Sequence, residues 1–185
     1  MIKKYFLICF LISVSCTKQS QFSDEFQCKS SSLEYLETVK DARNVFSIPI
    51  PKNWNINLYE DALQSSVFAA DTTKQLTESI LIDVSYIKND IQFDDVFKLK
   101  IEQENLSKNL IQKKSKEITV LGKPTYFVVS KGKKSTFSYQ KLQAFIKIHQ
   151  KDFILAKVEI YGDSLVENRF CKAFSLIEKI KITPQ

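Results

Sequence analysis

Glycine is scarce in this chain: 185 residues hold three, Gly122, Gly132 and Gly162. Without glycines in series, the standard P-loop and dinucleotide cradles cannot be built. Histidine occurs once, at His149, which removes histidine-rich metal sites and two-histidine proton relays. The four cysteines, Cys9, Cys16, Cys28 and Cys171, include no C-x-x-C pair, so neither a redox dithiol nor a zinc ribbon is indicated. Long apolar runs are missing too. The best, Tyr5 to Val14, covers ten residues, whereas a membrane-spanning helix needs about 20.

What chemistry remains is thin. His149 has Asp152 three residues on, but no serine motif of the nucleophile-elbow kind accompanies them, and an exposed hairpin turn is the plainer role. Asp94-Asp95 reads as a helix start complementing the dipole rather than an acid–base pair. No catalytic set, metal site or cofactor is expected.

The N-terminus carries a different message. Met1-Ile2-Lys3-Lys4 is positive, the run to Val14 is apolar, and Ser15-Cys16 follows, which is the order of an export signal. Leu11-Ile12-Ser13-Val14-Ser15-Cys16 resembles a lipobox, the cleavage signal of bacterial lipoproteins, with Ser13 standing where leucine is usual. The resemblance implies a signal peptide over residues 1–15 and a lipid on Cys16. It also implies an outer-membrane address, since Thr17 is not the aspartate of enterobacterial inner-membrane sorting. Residues 16–32, polar and rich in Ser and Gln, read as a tether. Cys9 leaves with the signal and Cys16 is acylated, so Cys28 and Cys171 remain. In an oxidising compartment a Cys28–Cys171 bridge is expected, the alternative being two buried thiols.

Residues 33–185 suffice for a single domain with a substantial core. The formal charge of +6 falls to +4 once Lys3 and Lys4 are removed, too little for a nucleic-acid footprint, and no recognition motif occurs. Lysines cluster at Lys113-Lys114-Ser115-Lys116 and at Lys131-Gly132-Lys133-Lys134. Solvated strand ends and turns explain them; the sharper alternative is docking to anionic lipid or an acidic partner.

Alternation predicts strands over 33–39, 45–50, 56–59, 64–70, 80–87, 111–120, 125–130, 138–148 and 153–161. A turn is expected at Gly122-Lys123-Pro124. The acidic start, the length and the Glu104/Lys108 spacing predict a helix over 93–108, with Phe93, Val96, Phe97, Ile101 and Leu106 on one broad face. Ser164 and Glu167 have capping-box spacing ahead of an apolar stripe of Val166, Phe170, Ala173, Phe174 and Ile177. Short connections make the sheet antiparallel.

The segment Phe46-Ser47-Ile48-Pro49-Ile50-Pro51-Lys52-Asn53-Trp54, followed by a hairpin, a helix, a meander and a last helix, resembles the PsbP-like/DcrB superfamily. Asn53 stands where that group often has glycine. The resemblance covers about residues 33–183 and implies an α+β fold, an antiparallel β-sheet flanked by helices in a PsbP-like α/β/α sandwich. It also implies a non-catalytic binding or accessory role. Trp54 is expected to plug the sheet edge, with contact to a ligand as its alternative. The expectation is thus an envelope lipoprotein that binds another protein, the alternative being a periplasmic carrier of a small apolar ligand or lipid held between sheet and helix.

Overall fold

The computed structural model describes residues 21–29 and 33–184; the proposed signal peptide, Cys9 and Cys16 lie outside them. In chain order the elements are α1 (Gln21–Glu25), β1 (Leu36–Lys40), β2 (Phe46–Pro51), β3 (Asn55–Glu60), β4 (Gln64–Ala70), β5 (Leu81–Ile87), α2 (Asp95–Leu106), β6 (Leu110–Val120), β7 (Lys123–Lys134), β8 (Phe137–His149), β9 (Asp152–Tyr161), α3 (Val166–Ile177) and β10 (Lys181–Ile182), with a 3-10 turn at Leu76–Glu78. Seven strands form one antiparallel sheet in the order β3-β4-β5-β9-β8-β7-β6, and β1-β2-β10 form a second. Two meanders meet at the β5–β9 pair, and α2 carries the chain from one to the other.

Period-two alternation sorts the large sheet's side chains onto two faces. Phe127 and Val129 of β7, Leu142, Ala144 and Ile146 of β8, and Ile154, Ala156 and Val158 of β9 share one face with α3 and the small sheet's Phe46, Ile48 and Ile50. The opposite face presents Tyr126, Val128, Phe145, Phe153 and Leu155 to Phe93, Phe97 and Ile101. The layers are therefore helix, sheet, helix, as expected.

The small sheet is pinned to the large one through Asp41. Its carboxylate, 2% exposed, accepts the amides of Phe46 at 2.8 Å and Arg43 at 3.1 Å together with the Ser65 hydroxyl of β4. A buried carboxylate is tolerable only when its lone pairs are filled in this way. Pro49 and Pro51 lie beyond the two residues of β2 that pair with β10, so that end has one neighbouring strand, in keeping with missing donors.

Several local expectations are corrected. The β6–β7 turn is made by Leu121 and Gly122, both at positive φ, while Lys123 and Pro124 already belong to β7. Val96 and Leu106 do not share the buried face of α2: they are 77% and 51% exposed. Ser164 does not cap α3. Leu165 occupies that position in the left-handed region without a side-chain cap. Asp163 holds the approach instead, accepting from Ser138 at 2.7 Å and Lys131 at 3.3 Å.

The largest correction concerns the tether. Phe22 is fully buried, stacked on Phe174 at 4.7 Å and edge-on to Phe127 at 5.8 Å. Phe26 lies 4.7 Å from Phe174. Glu25 pairs with Lys114 at 2.8 Å and Lys116 at 2.6 Å, and Cys28 is bonded to Cys171 across 143 residues with Cα atoms 5.5 Å apart. Packing thus reaches back to Phe22, well ahead of residue 33. Two phenylalanines among polar residues were too few to set a helical period.

Two outcomes follow. On the loop-entropy view a bridge spanning this much chain contributes about 4–5 kcal/mol. Reduction, or Cys171→Ser alone, should lower the urea midpoint markedly; an unchanged midpoint would show that Phe22 and Phe26 hold the segment unaided. Burial raises the Glu178 carboxyl, at the C-terminal end of α3, to about 7 from its ordinary 4.5, against hydrogen bonds from Ser23 and with Asp24 adding to the rise. The folded state then binds a proton the unfolded state lacks, so stability should increase as pH falls from 7 to 4.5. Glu25, Asp61 and Asp163, shifted downward, act below that window. Melting temperature against pH should show the rise, and Glu178→Gln should flatten it.

Candidate functional site

The large sheet outruns its covering helix, and the antiparallel register shows what is left. One cross-strand row runs Tyr126–Phe145–Leu155, under α2. The next row is Val128–Gln143–Lys157–Asp83, then Ser130–Lys141–Glu159–Leu81, then Gly132–Tyr139–Tyr161. On this face the side chains turn from aromatic to charged within four residues of β8, at the place where α2 ends.

Those rows floor a cavity of about 390 Å³ lined by Lys108, Leu110, Lys133, Lys134, Tyr139, Lys141, Gln143, Lys157 and Glu159. Five lysines face one glutamate. Lys157 is paired with Asp83 at 3.1 Å and Lys134 with Glu159 at 3.4 Å. Lys134 also lies over the rings of Tyr139 and Tyr161, 5.1 and 5.3 Å from their centres. Lys141, 7% exposed, donates to Asn105 Oδ1 at 2.7 Å. Burial, joined by the charges of Lys108 and Lys157 and opposed by Glu159 and Glu104, pushes its ammonium down to about 8. Burial and the neighbouring Glu159 carboxylate push the Tyr139 hydroxyl upward. Gly132 admits this geometry: a Cβ there would collide with the Asn109 carbonyl oxygen and crowd Leu110.

Polar capacity is left over around the floor. Gln143 Oε1, Asn105 Nδ2 and Ser130 Oγ are buried without hydrogen-bond partners. Buried polar atoms are normally satisfied, and an orphan has a cost of about 1–3 kcal/mol. Of the three, only Gln143 lines the cavity; Asn105 and Ser130 flank Lys141 behind its floor.

The sequence singled out other residues. Trp54 is 7% exposed and packs into the main core, while also edging a cleft of about 360 Å³ with Tyr35, Lys52, Asp71 and Lys74. His149 Nδ1 meets Asp152 at 3.0 Å. The same carboxylate accepts the His149 amide at 3.0 Å and the Tyr86 hydroxyl at 3.2 Å, so the pair closes the β8–β9 turn. Asp94 accepts the Phe97 amide at 2.8 Å as the cap of α2. Of the lysine clusters, Lys114 and Lys116 are spent on Glu25, whereas Lys133 and Lys134 reach the cavity. Among the described residues no group of His, Cys, Asp and Glu is placed to hold a metal ion, and no helix is long and apolar enough to cross a membrane.

Lys141, Gln143 and Lys157 were missed. The available signal was their position: charged or amide side chains alternating with apolar ones in two strands that otherwise read as core.

With the architecture in place, its class is plain: the fold is PsbP-like. The cyanobacterial PsbP, CyanoP, of Synechocystis sp. shares it with a TM-score of 0.60 at 10% identity, over 84% of this chain and 97% of that one. A point mutant of Mog1 matches at 0.51 and 10% identity, over 80% and 95%. A Bacteroides thetaiotaomicron protein matches at 0.51 and 8% identity, over 82% of this chain and 50% of its own. Likeness at these identities is likeness of fold. No family model matches the chain, and no curated protein matches it.

Proposed function

We propose that the chain is an envelope lipoprotein, anchored in the outer membrane through a lipid on Cys16, whose PsbP-like domain is a non-catalytic module that binds another envelope protein. The observation that carries the protein-binding reading is the outer face of α2. Val96, Leu99 and Leu106 are 77%, 53% and 51% exposed and, at spacings of three and seven, fall on one side of the helix. Phe97 and Ile101 occupy the other side. A helix apolar on two faces with one of them unburied is what a partner helix would cover.

Anchoring at Cys16 is supported by the lipobox-like run, since two or three acyl chains anchor far more firmly than one. Against the carrier alternative, Phe97 lies 5.1 Å from Phe145 and 6.1 Å from Tyr126, occupying that part of the layer between helix and sheet.

Two measurements test these readings separately. Palmitate labelling should disappear in Cys16→Ala, and persistent labelling would end the anchor. A photo-crosslinker at Leu99 in intact cells should give one discrete adduct that Val96→Glu abolishes. No adduct, or one indifferent to Val96→Glu, would end the α2 docking face.

A further inference from the structure

We propose that the lysine cavity beyond the C-terminal end of α2 is a binding site for a small hydroxylated phosphate ester. Charge comes first. Lys108, Lys133 and Lys141 have no carboxylate partner among the described residues, whereas Lys134 and Lys157 are neutralised by Glu159 and Asp83. Like charges brought this close repel, and an anion converts that repulsion into binding. More than one unpaired cation calls for a dianion. No arginine lines the cavity, so the anion is met by point-charge ammoniums, which are regular partners of phosphate oxygens.

The leftover hydrogen-bonding groups refine the ligand. The Lys141 ammonium has three donors and uses one on Asn105. Asn105 Nδ2 is a further unused donor nearby, buried rather than at the cavity wall. Gln143 Oε1 is an unused acceptor on a residue 8% exposed. A phosphate dianion cannot donate to it, whereas a hydroxyl beside the phosphate can once the Gln143 amide turns toward the cavity. The Tyr139 ring forms a wall, and about 390 Å³ falls at the small end of ordinary ligand pockets. The source is either a soluble sugar or polyol ester or a lipid headgroup that ends in a phosphate monoester; the chemistry is shared.

Such binding deepens the reading of the domain as a non-catalytic module. It involves a different surface from Val96 and Leu99, so the crosslink and the ligand can each fail alone. The test is calorimetric titration of the purified full chain with glucose 6-phosphate, with glucose as the uncharged control and with nanodiscs of phosphatidylglycerol phosphate, whose headgroup ends in a phosphate monoester near a hydroxyl, or of phosphatidylcholine as the lipid arm. Glucose 6-phosphate should bind and glucose should not. Lys141→Met should weaken binding by about tenfold or more, as should the exposed pair Lys108→Gln with Lys133→Gln, which leaves buried packing untouched. On saturation the Lys141 ammonium, followed by NMR, should titrate at higher pH than in the free chain. Binding confined to phosphatidylglycerol phosphate discs and lost in the same variants keeps the site and assigns the phosphate to a lipid. No saturable binding in either arm, or binding indifferent to both variants, overturns it.

Discussion

A helix too short for its sheet governs this molecule. The twelve residues of α2 rise about 18 Å. The thirteen of β8 extend roughly 40 Å. However α2 is laid on that face, it shields only part of it. The sequence of β8 conforms to the shortfall: Phe145 lies under the helix, Lys141 meets its last turn at Asn105, and Tyr139 lies past it. The charge of Lys141 is tolerable in mid-strand because Asn105 accepts from it, where an unpartnered one would be costly. The cavity is therefore a consequence of lengths before it is a consequence of chemistry.

The opposite face has no such gap, because three separate pieces close it: α3, the small sheet and the N-terminal turn. Phe22 is the element that completes the seal. It fills the space between Phe174 of α3 and Phe127 of β7, and the bridge from Cys28 to Cys171 fixes the same helix a turn away. Hydrophobic burial and the covalent link act on one short segment, which would otherwise fray as chain ends do. Glu178 sits at the same junction with Oε1 unpartnered, so the seal includes a group that prefers to be neutral. The clamp is strong in its rings and its bridge and weak at that carboxyl.

How much of this was legible depended on whether the signal was local. Strand alternation is local, and β4, for example, begins and ends where the pattern places it, at Gln64 and Ala70. The large apolar stripe of α3 was equally readable. The tether was misjudged because Phe22 and Phe26 become informative only beside Phe127 and Phe174, about a hundred residues and more away in sequence. Capping at Ser164 failed because the chain enters α3 through Gly162 and Leu165, both at positive φ, a path set by packing against Thr77. The cavity was invisible for a similar reason. Lys141 and Lys157 are sixteen residues apart, and their meeting with Lys108 needs the register of β8 on β9 and the end of α2 together.

The two surfaces attributed to function share one element, and this has a physical consequence. The outer stripe of α2 and the Lys141 that floors the cavity meet at the last turn of the helix, with Leu106 exposed on one side and Asn105 turned under on the other, accepting from Lys141. Lys98 ties the helix to Glu117 of β6 at 2.6 Å, an exposed pair of the kind that contributes little by itself. The helix is held down mainly by Phe93, Phe97 and Ile101, all toward its N-terminal half or middle. Its last turn is anchored by Asn105 accepting from Lys141. An anion can use the two remaining donors of Lys141 and leave that hydrogen bond in place, so filling the cavity and holding the last turn of α2 are compatible demands on one side chain.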